Sequence, residues 1–167
     1  EQWMWKEHAP FKFRILGKLP VWLTYQAFNS PTAEAATVFY NSFIFWGFFW
    51  MCATVISLYF YLKILFKDLP DTQAKHISLS LMGCLLFLIS APILTGFKFP
   101  MHTSPNDLLG YFLIVLGMIM ILKNKPLSMC IIASIAVFCR ETTLIVPFFY
   151  LITSNNSLKN RIIFSLF

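Results

Sequence analysis

The sequence predicts an all-α fold: a polytopic transmembrane helical bundle with a short helical hairpin whose rim is charged. Three observations predict it. Hydrophobic residues make up 58% of the 167 residues and charged residues only 12%. Water-soluble domains carry about 25% charged residues, so this chain has too little polar surface to cover itself in water. The apolar residues gather in runs that match bilayer thickness. Finally, a charged pair, Arg140-Glu141, sits inside the last of these runs.

The elements follow in chain order. Residues 1–35 read as an interfacial segment on the outer or lumenal side. Phe11-Lys12-Phe13-Arg14-Ile15-Leu16-Gly17-Lys18-Leu19 alternates basic and apolar residues, and the apolar stretch between Pro20 and Pro31 is too short to span. Aromatic rings and snorkelling cations are favoured at the membrane–water boundary. Residues 36–167 read as the transmembrane helical domain. Its first span, 39–62, runs 24 residues without a charge, enough to cross about 30 Å of hydrocarbon at about 1.5 Å per residue. Lys63 and Lys67 follow it, then a polar loop through Asp68, Pro70, Asp71, Lys75 and His76. A second span is expected at 77–97, with Pro92 as a kink. After the polar loop Lys98–Asp107, residues 108–122 form a shorter apolar stretch, and Lys123-Asn124-Lys125-Pro126 makes a tight turn. The next run, 127–152, is expected to be one span carrying Arg140 and Glu141 within it. A polar loop, 153–161, precedes an apolar stretch from 162 that reads as the start of a further, truncated span. With no Met at position 1, the chain reads as an internal piece of a longer protein, and further spans or subunits are expected beside it.

Charge placement gives an orientation. One side carries Lys63, Lys67, Lys75, Lys123 and Lys125. The other carries Lys98, Lys159 and Arg161 in its short loops. Basic short loops stay in the cytoplasm, so the 63–76 and 123–126 loops are placed there and the 98–107 loop faces outward.

Composition also excludes classes. The net charge is +6, but the basic residues are scattered between apolar segments, which argues against nucleic acid and for anionic headgroups or phosphates. The four cysteines, Cys52, Cys84, Cys130 and Cys139, lie in apolar runs without a Cys-x-x-Cys pair or a His at ligand spacing. No metal and no cofactor is expected. The first eight residues lack the basic start, apolar core and cleavage site of a signal peptide.

Arg140 and Glu141 are the residues most open to chemistry. An ionisable group at membrane depth costs at least about 2.5–3.5 kcal/mol, so such groups face a wet cavity or a partner. Adjacent helical residues point about 100° apart, so each needs a partner elsewhere. If 108–122 and 127–139 form an antiparallel hairpin about Asn124, position 107 lies level with 142 and Arg140 about 3 Å lower. Asp107 is then within reach of Arg140, or of a phosphate that Arg140 holds. Ser104-Pro105-Asn106-Asp107 reads equally as a helix start, with Ser as N-cap and Pro at N1. His102 reads as a solvated loop residue. Arg14, in its aromatic setting, suits either a lipid phosphate or the anchoring of an interfacial helix.

The outer segment with Phe11-Lys12-Phe13-Arg14-Ile15-Leu16, then spans, then Pro105-Asn106-Asp107 before a short helix, then Arg140-Glu141-Thr142-Thr143-Leu144 before a Pro-containing apolar run, resembles the polytopic glycosyltransferases of the GT-C fold. The resemblance covers most of the chain, through short motifs. It implies a membrane enzyme that moves a sugar from a polyprenyl- or dolichyl-phosphate donor on the outer or lumenal face, without a nucleotide sugar. The membrane would be a bacterial inner membrane or that of the endoplasmic reticulum. The family's acid lies in the first outer loop. Here Glu7 would stand in that place as general base, Arg14 and Arg140 would hold the donor phosphate, and Asp107 and Glu141 would orient Arg140 or the acceptor. The alternative is a non-catalytic membrane subunit or transporter fragment in which Arg140, Glu141 and Asp107 form a structural buried network.

Overall fold

A computed structural model of the protein describes residues 16–28, 35–67, 73–94, 105–154 and 158–166. All but three of the described residues are helical or turn, and none is in a strand. The helices are α1 (Lys18–Phe28), α2 (Ala35–Leu65), α3 (Gln73–Leu94), α4 (Pro105–Leu122), α5 (Pro126–Val137), α6 (Ile145–Thr153) and α7 (Leu158–Leu166), with a 3₁₀ turn at Glu141–Leu144.

Helix α2 organises the molecule. Its 31 residues contain no Pro and a single Gly, and span about 46 Å at about 1.5 Å per residue. Among the described residues it is the one helix long and apolar enough to cross a membrane. The residues it buries are small or hydroxylated: Ser42, Gly47, Thr54 and Ser57. The residues it exposes are large, among them Phe45, Phe48, Phe49, Ile56 and Phe60. This reverses the pattern of a water-soluble helix, where large apolar side chains are sequestered. Small residues let helix backbones approach closely where lipid, not water, is outside. The hydroxyls of Ser42 and Thr54 cost little to bury because they bond carbonyls one turn back: Ser42 Oγ donates to Val38 O at 2.8 Å and Thr54 Oγ1 to Trp50 O at 2.8 Å.

The other helices pack on α2 with alternating direction. Cys84 Sγ reaches Val55 O at 3.7 Å, and Gly83 lies against Leu62, so α3 runs antiparallel to α2. Helix α4 runs parallel to it, with Gly47 beside Leu108 and the Trp50 ring 5.7 Å from Phe112. Helix α1 docks on the first half of α2. Its Thr24 Oγ1 accepts a bond from Trp46 Nε1 at 2.8 Å, and Tyr25 meets Phe39 edge to face. The second part of the N-terminal segment is therefore packed onto the bundle, while residues 1–15 lie outside the described residues.

The α4–α5 connection is short because Asn124 adopts φ 52. That left-handed conformation is disfavoured for most side chains and tolerated by Asn. It lets the Lys125 amide return to Met120 O at 2.9 Å.

The expected span 127–152 needs correction. The chain does not continue as one helix: α5 ends at Val137, Arg140 is extended (φ −162, ψ 134), and a 3₁₀ turn leads into α6. Tyr150 and Val146 of α6 pack against Met129, Cys130 and Ala133 of α5. Residues late in α6 thus meet residues early in α5, and the chain has reversed. The physical reason lies in Pro147. In a continuous helix its ring would clash with the Thr143 carbonyl and leave an unmade bond, a cost of about 3 kcal/mol. By restarting at Ile145, the helix puts Pro147 in its first turn, where a missing N–H costs nothing. Helix α7 then runs back beside α6, with Ser165 Oγ donating to Pro147 O at 3.1 Å and Cys130 Sγ to Phe164 O at 3.1 Å.

Other boundaries shift by less. Helix α2 begins before residue 39 and includes Lys63. Helix α3 begins at Gln73, taking in Lys75 and His76, and runs through Pro92 to Leu94; the expected end at 97 lies outside the described residues. The loop expected at 153–161 is shorter, since α7 starts at Leu158. Helical bonding extends past an apolar run until a breaker stops it, so polar flanks join the helices.

Candidate functional site

The reversal between α5 and α6 places Arg140 beside the first turn of α4. Its backbone is held from both sides. The Arg140 amide donates to Ala136 O at 3.0 Å, and its carbonyl accepts from the Thr143 amide at 3.1 Å and from Thr143 Oγ1 at 2.6 Å. Thr143 is fully buried, so this turn is fixed from inside. Gly110 of α4 lies against the Arg140 stem.

The side chain is held as well. Nη1 lies 3.1 Å from Asp107 Oδ1 and donates to Tyr111 Oη at 3.4 Å. The guanidinium carbon is 5.8 Å from the Tyr111 ring centroid, inside the roughly 6 Å reach of a cation–π contact. The Asp107 contact is close but off hydrogen-bond geometry, since Oδ1 is buried without an aligned donor among the described residues. The charge–charge attraction at that distance does not need alignment. Two unit charges at 4 Å attract by about 1 kcal/mol in water and about 4 kcal/mol at an effective dielectric of about 20. With 29% and 25% of the two side chains exposed, the pair lies between these limits before desolvation is subtracted.

The geometry expected for Asp107 and Arg140 from the residue count is present, although Arg140 reaches it from an extended backbone rather than a helix. Glu141 opens the 3₁₀ turn, but its side chain lies outside the described residues, as do Glu7 and Arg14. The Asp107 position opens α4 as the helix-start reading required, with Pro105 first and Asp107 in the first turn; Ser104 and His102 lie outside the described residues. Sequence reasoning missed Tyr111 and Thr143. Tyr111 was accessible: it lies four residues after Asp107, hence on the same helix face.

Beneath the cluster, Thr54 Oγ1 also approaches Leu108 O at 3.4 Å. Leu109, Leu113, Ala136 and Cys139 form an apolar floor, joined by Trp50 and Phe112. A separate apolar groove of about 480 Å³ lies between α5 and α7 and includes none of the cluster residues. Among the described residues no three His, Cys, Asp or Glu side chains converge as metal ligands, and the four cysteines are free thiols. The arrangement can present a fixed cation, partly neutralised among the described residues by the Asp107 carboxylate, beside an apolar packing cluster. No protein-family model, characterised protein or solved structure matches the chain.

Proposed function

We propose that the chain is part of a polytopic helical membrane protein that binds a lipid-linked phosphate at Arg140, as a glycosyltransferase with a polyprenyl- or dolichyl-phosphate sugar donor would. The observation that carries this is the partial use of the guanidinium. Arginine offers five N–H donors. Among the described residues only Nη1 is engaged, by Asp107 and Tyr111, and the side chain remains partly exposed. A planar fork held at one corner, with its other donors not engaged by the described residues, suits bidentate phosphate binding. The polytopic reading is supported by the buried small residues of α2 and by the large apolar side chains exposed along α2, α3, α5 and α6. The direct test is sugar transfer from a polyprenyl-phosphate sugar by the full natural chain in detergent. No transfer and no retention of polyprenyl phosphate by the folded protein would refute the reading.

A specific observation favours the second reading, a structural network in a non-catalytic subunit or transporter: Asp107 already supplies Arg140 with an opposite charge.

The polytopic reading has its own test. Helix α4 is 18 residues long, about 27 Å at about 1.5 Å per residue. Single cysteines at Asn106 and Asn124, in a background without native cysteines, should react with an impermeant reagent from opposite sides of sealed vesicles. Reaction of both from the same side would contradict spanning by α4.

A further inference from the structure

The reversal at Arg140 relocates charge. Were 127–152 one span, Lys159 and Arg161 would lie at the opposite end from Lys123 and Lys125. Because α6 runs back along α5, with Tyr150 beside Met129 and Cys130, the start of α7 returns to the end where α4 meets α5. That end also holds the C-terminus of α2 and the N-terminus of α3. Lys63, Lys67, Lys75, Lys123, Lys125, Lys159 and Arg161 therefore share one end of the bundle, seven of the thirteen Lys and Arg residues.

We infer that this end is a docking surface for anionic phospholipid headgroups; the inference rests on the polytopic part of the reading above, not on Arg140. Three helices end there and three begin there, so their end dipoles, each about half a charge, largely cancel and the side chains set the field. None of the three that begin there, α3, α5 and α7, has an acidic residue in its first turn. The first turn of α4, at the other end, contains Asp107. Lys63, Lys67, Lys75, Lys123 and Lys125 are all exposed.

The surroundings specify a lipid rather than a soluble polyanion. Lys63 lies two residues from exposed Leu65 and Lys75 two from exposed Ile77. Lys123 adjoins Leu122, Lys125 lies two from Leu127, which is 67% exposed, and Arg161 adjoins Ile162. Five of the seven cations thus have an outward-turned apolar side chain within two residues of them in the chain. A soluble anion has no use for that collar, whereas a phospholipid supplies headgroup and acyl chain at adjacent depths.

The test uses the full chain in nanodiscs of phosphatidylcholine with spin-labelled phosphatidylglycerol or phosphatidylcholine as probe. The expected ratio of their association constants at the protein surface is at least about 5, roughly what one lysine near an anionic surface supplies. Replacing Lys63, Lys67, Lys75, Lys123 and Lys125 by Gln should bring the ratio towards one while the protein still enters the discs. Equal association of both lipids with the wild-type chain would overturn the inference. So would an unchanged ratio in the variant, or displacement of phosphatidylglycerol by an equal concentration of inorganic phosphate. A protein that enters discs but shows no lipid preference refutes the surface alone. One that cannot enter them refutes the membrane reading as well.

Discussion

Arg140→Ala is expected to lower sugar transfer from a polyprenyl-phosphate donor by at least about 30-fold. Truncating one partner of a desolvated, hydrogen-bonded charge pair costs about 2–5 kcal/mol, and each 1.4 kcal/mol is about tenfold. Arg140→Lys should recover only part of the loss, because an ammonium cannot offer the planar fork. Stability must be followed in the same variants. Arg140→Ala leaves Asp107 partly buried without its counter-charge, which is destabilising on either reading. The double variant Asp107→Asn/Arg140→Ala removes both charges and should regain folded yield. If Arg140 holds donor phosphate, the double variant stays inactive despite that recovery. If the pair is structural, activity per folded molecule in the single and double variants matches wild type. Transfer is measured per unit of monodisperse protein, and wild-type-like specific activity of Arg140→Ala would end the phosphate role.

Gly117→Ala should destabilise the protein by about 1–3 kcal/mol, the usual cost of overpacking, although Ala is the better helix former by about 1 kcal/mol. A Cβ at this position would sit 2.6 Å from Val146 Cγ1 and 3.3 Å from Cγ2. Neither helix is free to yield. Val146 is 1% exposed and the next residue is Pro147, whose ring fixes the start of α6. The partner substitution identifies the cause. In a Val146→Ala background the obstructing methyls are gone, so Gly117→Ala should become neutral or stabilising by up to about 1 kcal/mol. Thermal unfolding in detergent measures both. Loss of stability of the same size in the two backgrounds would mean that the α4–α6 approach is not the reason.

The position of Asp107 beside Arg140 was legible because a tight turn of known length sets the register of an antiparallel pair. Lys123–Pro126 is polar and contains Asn at the left-handed position, so counting outward from it works even when the backbone at the far end is not helical. The reversal was not legible from hydropathy, since an apolar run reads the same whether it continues or folds back. The distinguishing residue was Pro147, which marks a helix that restarts within three residues before it. Glycine carried a similar message: Gly110 and Gly117 lie seven residues apart on one face of α4, and that face receives Arg140, Thr143 and Val146. The catalytic role given to Glu7, the donor-phosphate role given to Arg14 and the orienting role given to Glu141 depended on family likeness, and they remain proposals. Tertiary partners such as Thr143 leave no periodic trace, because a hydroxyl that closes a turn looks the same as one that faces solvent.

If the bundle spans a membrane as proposed, the reversal also orders events during synthesis. Helix α5 has 12 residues and the segment from Glu141 to Thr153 has 13. Each is shorter than the roughly 20 needed to cross a bilayer, so neither half can be threaded through by itself. They would enter together as a folded pair with Arg140 at its tip. A lone arginine carried towards the bilayer centre costs at least about 2.5–3.5 kcal/mol. Asp107 leaves the ribosome 33 residues ahead of Arg140, so a counter-ion can already be waiting at the top of α4 when the tip arrives. Exchanging the two residues, Asp107→Arg with Arg140→Asp, would keep the ion pair but send the cation in first, making insertion a test of chain order rather than of charge balance.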